Sequence, residues 1–87
     1  MDKKAIENKI QTTLINQLKK RGLRLIVKNT DSIIEAGILD SLSAIELVAE
    51  LEKIFDVTIL PEEMTEANFD SMLKITDFVS AKLKGHT

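Results

Sequence analysis

Large aliphatic residues recur at every fourth position near the beginning of this 87-residue chain. A four-residue spacing places side chains on one face of a helix, whereas a strand would require alternation at every second residue. The residues of this stripe are Ile6, Ile10, Leu14 and Leu18. Basic residues and Gly22 follow the stripe, as is typical of a helix C-terminus. The pattern predicts a first helix from about Lys3 to Arg21.

The rest of the pattern predicts a long connection and further helices. Residues 23–40 hold a short apolar alternation without a partner strand, so they predict a loop that packs on the helices and turns at Gly37. A second helix begins at Asp40–Ser41, with Asp40 as N-cap, and ends around residues 55–57. Pro61 begins a short helical piece that breaks around residues 68–70. Asp70 or Ser71 then caps a last helix that ends near Leu83.

These elements predict an all-α fold, a small four-helix bundle. It has three longer helices, one short helix and a long loop between the first and second helices. Residues 1–87 are expected to form one domain, with residues 83–87 as a flexible tail. The expected core beyond the first stripe comprises Ile33, Ile34, Ile38, Leu39, Leu47, Leu51, Ile54, Phe55, Met72, Ile75, Phe78 or Val79, and Leu83.

Composition removes several classes of function. The chain has no cysteine, which excludes disulfides and thiolate metal sites. Its apolar runs are only a few residues long and its first residues are polar, so neither a membrane span nor a signal peptide is expected. The three phenylalanines, its only aromatic residues, have core-like spacing. We expect a cytoplasmic protein without a nucleic-acid or membrane partner.

Charge is divided unevenly along the chain. Residues 1–30 hold eight Lys/Arg and two Asp/Glu, whereas residues 31–70 hold one Lys and eleven Asp/Glu. An acidic middle attracts basic partners and repels nucleic acid. The simpler alternative is that these acids only solvate helix surfaces.

Catalytic and metal-binding chemistry lacks its usual residues. Ser41 as a nucleophile would need a base, and the only histidine is His86 in the expected tail. A lone histidine without cysteine does not form a metal site, and three glycines provide no phosphate-binding loop. We therefore expect no catalytic residue, no metal ligand and no enzymatic activity.

The most informative segment is Gly-Ile-Leu-Asp-Ser-Leu at residues 37–42. It resembles the attachment motif of acyl and peptidyl carrier proteins, in which Asp-Ser-Leu opens the second helix. Residues 45–47 and 51–57 look like the second helix of that family and its exit, and residues 62–71 resemble its third-helix region. The resemblance covers about residues 31–83 closely and the first helix only by pattern.

This resemblance implies a covalent 4′-phosphopantetheine on Ser41, flanked by Asp40 and Leu42. A phosphopantetheinyl transferase would attach it, and its terminal thiol would carry acyl groups as thioesters. The position is physically suitable because free amides and the helix dipole favour a phosphodiester in a first helical turn. The alternative is that Asp40 and Ser41 merely cap a helix.

The second helix is also expected to contact partner enzymes. Its exposed apolar and acidic residues would dock onto basic patches of acyl- or aminoacyl-loading and acyl-processing enzymes, with the carrier as a monomer. The expected contact residues are Leu42, Ile45, Glu46, Ala49 and Glu52. Alternatively, Leu42 and Ile45 belong to the core. Ser43 and Lys53 stand where many fatty-acid carriers have acids, which weakens an assignment to fatty-acid biosynthesis.

The sequence thus predicts a freestanding acyl carrier protein. The main alternative is an aminoacyl or peptidyl carrier of a specialised pathway, such as polyketide or nonribosomal peptide biosynthesis. An alternative from another class is an unmodified helical adaptor in which Ser41 only caps a helix.

Overall fold

The computed structural model of the chain describes residues 2–85, and its regular elements are all helical within that range. Three long helices are present: α1 (Lys3–Lys20), α2 (Ser41–Phe55) and α4 (Met72–Leu83). Between α2 and α4 lie a 3₁₀ helix (Pro61–Glu63) and the one-turn helix α3 (Glu66–Phe69). The predicted all-α bundle, with three longer helices, one short helix and a long first loop, is confirmed. Met1, His86 and Thr87 lie outside the described residues, and the last two of these belong to the expected tail. The predicted start of that tail is too early, because Leu83 still belongs to α4 and Lys84 is its C-cap.

One apolar core joins the long helices. The predicted stripe of α1 is fully buried against α4 and α2. The core also takes side chains from the long loop and from α3. Its buried apolar members are Ile6, Ile10, Leu14, Leu18, Ile33, Ile38, Leu39, Leu47, Val48, Leu51, Phe55, Ile59, Phe69, Met72, Ile75 and Val79.

The ends of α1 follow from local hydrogen bonds. At its start, the Asp2 carboxylate accepts the backbone N–H of Ala5 at 2.8 Å. At its end, Gly22 adopts a left-handed conformation (φ +72°) and the Leu23 N–H donates to the Leu18 carbonyl at 2.9 Å. Gly22 is therefore the left-handed glycine that the sequence predicted after the helix.

The long loop is fastened to the junction between α3 and α4. The Ile33 N–H donates to the Asp70 carbonyl at 2.8 Å, and the Ser32 hydroxyl donates to the Asp70 carboxylate at 2.6 Å. Ile33 and Ile38 are buried as predicted, and Gly37 turns the chain at φ +76°. These bonds hold the segment that leads into α2.

The structure corrects parts of the predicted core. Ile54 is 39% exposed because it lies at the edge of α2 facing a groove between α1 and α2, and Leu83 is exposed at the end of α4. Of the two alternatives in α4, Val79 is the fully buried residue, whereas Phe78 is half-buried. Thr76 is buried although the sequence did not predict it, and its hydroxyl donates a hydrogen bond to the Met72 carbonyl at 2.7 Å.

Two further features complete the fold. Ser71, not Asp70, is the N-cap of α4, because the Ser71 hydroxyl accepts the Lys74 N–H at 3.1 Å. Within residues 2–85, no helix combines the length and hydropathy that crossing a bilayer requires.

Candidate functional site

The start of α2 is a reciprocal cap between Asp40 and Ser43. The Asp40 carboxylate accepts the backbone N–H of Ser43 at 2.9 Å, and the Ser43 hydroxyl accepts the backbone N–H of Asp40 at 2.8 Å. The Ser43 amide lowers the pKa of the Asp40 carboxyl, and the Ser43 hydroxyl and the Arg21 guanidinium lower it further. The predicted N-cap is confirmed, and hydrogen bonds fix the backbone on both sides of Ser41.

Ser43 has a role that sequence reasoning missed. The residue is 3% exposed, and its hydroxyl completes the cap of α2. The available signal was the Asp-x-x-Ser spacing, which is a variant of the capping box.

Ser41 occupies the first position of α2 and is exposed to solvent. Among residues 2–85, its hydroxyl makes no hydrogen bond to another protein group, whereas three other serines use theirs internally. Ser43 bonds to Asp40, Ser71 caps α4, and Ser32 bonds to Asp70. Ser41 is thus a free hydroxyl on a rigid backbone.

The C-terminal part of α1 supports this helix start from the other side. The Gln17 side-chain amide donates to the Ser43 carbonyl at 2.8 Å, and the Arg21 guanidinium donates to the Ile38 carbonyl at 3.4 Å. These two contacts join α1 and its C-cap to residues close to Ser41 on either side. The position of the serine therefore depends on tertiary packing as well as on its own cap.

A groove opens beside Ser41, between α2 and the segment that contains the 3₁₀ helix and α3. Apolar side chains form most of its walls, and its polar members are Asp40, Ser41, Thr65 and Glu66. The apolar lining residues are Ile34, Leu39, Ala44, Ile45, Pro61, Met64 and Phe69. The sequence had assigned several of them only to the core or to turns. An apolar group attached near Ser41 would find a complementary surface here.

The predicted partner residues of α2 differ in their exposure. Leu42 and Ile45 are 68% and 58% exposed, so the alternative that they are core residues is wrong. Ala49 and Glu46 are also exposed, and Glu46 accepts a long hydrogen bond from Gln17 at 3.5 Å.

Glu52 differs from the other predicted partner residues. It is half-buried, and its carboxylate accepts the Ile59 backbone N–H at 2.9 Å. This bond ties the last turns of α2 to the following loop. Glu52 therefore holds the loop that follows α2, whereas the hydrogen bond of Glu46 is to α1.

Comparison with known proteins gives consistent matches. Residues 8–75 match the sequence profile of a family described as "Phosphopantetheine attachment site". The chain is 37% identical over 75 residues to the acyl carrier protein of Phytoplasma australiense, which covers 86% of this chain and 93% of that protein. It is 42% identical over 50 residues to the D-alanyl carrier protein of Lactococcus lactis subsp. cremoris (strain MG1363), which covers 58% of this chain. That second match spans 63% of the Lactococcus protein, less than two thirds of its length.

Proposed function

The chain belongs to the family of carrier proteins with a phosphopantetheine attachment site, whose members hold 4′-phosphopantetheine covalently, and on this premise we propose that Ser41 is the attachment residue. The observation that carries the proposal is the exposed, unbonded Ser41 hydroxyl on a backbone fixed by its neighbours. Asp40 would hold the helix start in place, and Leu42 would flank the modified side chain.

The residues at this position fit the group. Ser41 lies at the N-terminal end of a 15-residue helix, where the helix dipole favours a negatively charged phosphodiester. No neighbouring side chain covers the hydroxyl, so a partner enzyme can reach it. The bound group would supply a terminal thiol, which this cysteine-free chain lacks.

The function supported best is that of an acyl carrier, a non-catalytic protein that presents a thiol-bound cargo to other enzymes. The apolar groove beside Ser41 favours a cargo with an apolar portion, because burial of such a group against Met64 or Phe69 is favourable. All four helices contribute to one core or its margin, which supports residues 1–87 acting as one carrier domain.

The experiment is co-expression with a broad-specificity phosphopantetheinyl transferase, followed by intact-mass measurement. The parent should gain one phosphopantetheine, and Ser41→Ala should gain none while keeping its thermal midpoint. Ser80→Ala is the matched control and should be modified like the parent. Modification that persists in Ser41→Ala contradicts the site, and an unmodified parent favours the helical adaptor.

We also propose the surface through which partner enzymes dock. Leu42, Ile45 and Ala49 provide an exposed apolar strip next to Ser41, and Glu46 adds an exposed carboxylate. The transferase and the enzymes that load or process the cargo would need an apolar contact and a basic patch to match it. Glu52 contributes less, because its carboxylate is held by Ile59.

An aminoacyl carrier is the second candidate, and a specific observation favours it. Several similar proteins are D-alanyl carriers, including one of Streptococcus uberis that is 34% identical over 53 residues. The mass of the group isolated on the protein from its native cell would separate the two. A fatty-acyl mass supports the first candidate, and an aminoacyl mass supports the second.

A further inference from the structure

A second exposed surface lies where the long loop meets the start of α4. The alternation noted in the sequence turns Leu25 and Val27 towards the core and leaves Ile26 83% exposed. The Leu73 N–H donates to the Asn29 carbonyl at 3.0 Å, which places the loop against the first turn of α4. We call this surface the basic tip and define it as Leu23, Arg24, Ile26, Lys28, Leu73 and Lys74.

The basic tip combines exposed apolar side chains with cations. Arg24, Lys28 and Lys74 are exposed, and none of them forms an ion pair within residues 2–85. The nearest acid along the loop, Asp31, accepts the backbone N–H of Lys28 at 2.9 Å. The tip also follows α1, whose last turn carries Lys19 and Lys20. This arrangement has no role in the core and no role at Ser41.

We propose that the basic tip is a peripheral contact for an anionic lipid surface. Exposed aliphatic side chains ringed by Lys and Arg match the interface of such a bilayer, where apolar groups enter the acyl boundary and cations meet the headgroups. A protruding side chain such as Ile26 needs no preformed pocket in a bilayer, whereas a protein partner would have to supply one. This differs from the expectation of no membrane partner, which rested on the absence of a spanning segment.

The test is co-sedimentation of the full-length chain with sucrose-loaded vesicles at low ionic strength. One set contains phosphatidylcholine alone, and the other contains about 30% phosphatidylglycerol, to supply the anionic surface. The chain carries Ser41→Ala, so that no cargo on a prosthetic group contributes to binding. We expect binding to the anionic vesicles only. Binding should decrease as salt rises, because the screening length falls from about 10 Å at 0.1 M to about 3 Å at 1 M.

Matched variants locate the contact. Ile26→Ser should weaken binding by about tenfold, the scale expected for one buried aliphatic side chain, whereas Ile45→Ser on α2 should leave it unchanged. Arg24→Glu with Lys28→Glu should abolish binding, whereas Lys53→Glu on α2 should have little effect. Thermal midpoints confirm folding, since all five residues are exposed.

Three outcomes would overturn the proposal. Equal binding to neutral vesicles would mean that adsorption does not depend on anionic lipid. Equal weakening by Ile26→Ser and Ile45→Ser would mean that the tip is not the contact. Absence of binding to either vesicle would leave an acidic protein pocket as the partner of the tip.

Discussion

Both the inner and the outer face of α2 carry large aliphatic residues, but these lie in opposite environments. Leu47 and Leu51 on the inner face are completely buried, whereas Leu42 and Ile45 on the outer face are 68% and 58% exposed. Side-chain hydrophobicity alone does not assign Leu42 and Ile45 to the outer face, because they are as aliphatic as the buried leucines. Their difference arises from tertiary packing, which covers one face with α1 and the loop and leaves the other open.

This comparison separates folding from recognition within one helix. The inner face contributes apolar burial, which stabilises the domain, and the outer face contributes exposed groups, which cost little stability when changed. Asp40 and Ser43 lie at the boundary, because they fix the helix start and thereby position Ser41. The predictions below change the inner face, the boundary or the outer face of α2, with Glu63 as a comparison away from this helix.

The largest effect is expected on the inner face. Leu47→Ala should lower the free energy of unfolding by about 2–5 kcal/mol, because it removes buried methyl groups and leaves a cavity. Leu42→Ala should change it by less than about 0.5 kcal/mol. Urea unfolding followed by circular dichroism measures both values. Similar losses in the two variants would contradict the division between the faces.

An intermediate effect is expected at the boundary. Ser43→Ala should cost about 1 kcal/mol of stability, since it removes the acceptor of the Asp40 N–H and a buried hydroxyl that donates to the Asp40 carboxylate. Ser41→Ala, two residues away, should leave the unfolding midpoint in urea unchanged. The pair is informative because both substitutions remove one serine hydroxyl from the same turn. Equal midpoints would mean that the reciprocal cap contributes no stability.

The sequence predicted this helix start better than it predicted the environment of each side chain. Asp40 and Gly22 were identified because caps depend on residues a few positions apart. Ile54 was misassigned because its exposure depends on how far α1 and α2 separate, which is a tertiary property. Thr76 was missed because its hydroxyl bonds to Met72 within its own helix, so burial carries no polar penalty.

The features of the site also divide into local ones, which the sequence predicts, and long-range ones, which it does not. Ser41 could be found from a local motif, whereas the apolar groove beside it could not. That groove brings together Ile34, Ala44 and Met64, which are separated by up to thirty residues along the chain. The bond between Ser32 and Asp70, which steadies the loop before α2, is likewise a long-range contact.

A smaller effect concerns pH. The pKa of the Asp40 carboxyl is lowered in the folded state, chiefly by the Ser43 amide, so its ionised form stabilises the fold above the unfolded pKa of about 3.9. This contribution should be lost as the pH falls through the lower folded pKa. Asp40→Asn keeps a capping oxygen but cannot titrate. Its thermal midpoint should therefore fall less than that of the parent between about pH 5 and pH 2, where paired carboxylates become protonated.

Glu63 provides a matched comparison away from the site. Its pKa is also lowered, first by the hydrogen bond from Lys82 and then by the Leu60 amide. The thermal midpoint of Glu63→Gln should therefore also fall less than that of the parent between about pH 5 and pH 2. Modification of Ser41 should be unchanged in this variant. If the thermal midpoint falls equally with pH in the parent and in both variants, neither carboxylate contributes to the loss of stability in acid.

The smallest effect on folding, and the sharpest test of recognition, is expected from a comparison of Glu46 and Glu52 in α2. Glu46→Lys should slow transfer of phosphopantetheine to the carrier by a few fold at low salt, because charge reversal weakens a long-range attraction to a basic partner. The thermal midpoint should change little, since Glu46 is exposed and makes only a 3.5 Å contact with Gln17. Rising salt should restore the rate by screening the charge.

Glu52→Lys should behave differently, although it makes the same change of charge in the same helix. The Glu52 carboxylate holds the Ile59 N–H at 2.9 Å, so its removal leaves that half-buried donor without its partner and lowers the thermal midpoint. Any slowing of transfer should include a part that salt does not restore, because it follows from local loosening of the turn after α2. If both variants slow transfer equally, recover equally with salt and keep the parent midpoint, Glu52 belongs to the outer face despite its bond to Ile59. If neither variant slows transfer at low salt, recognition rests on Leu42 and Ile45, and the acids serve only to solvate the helix.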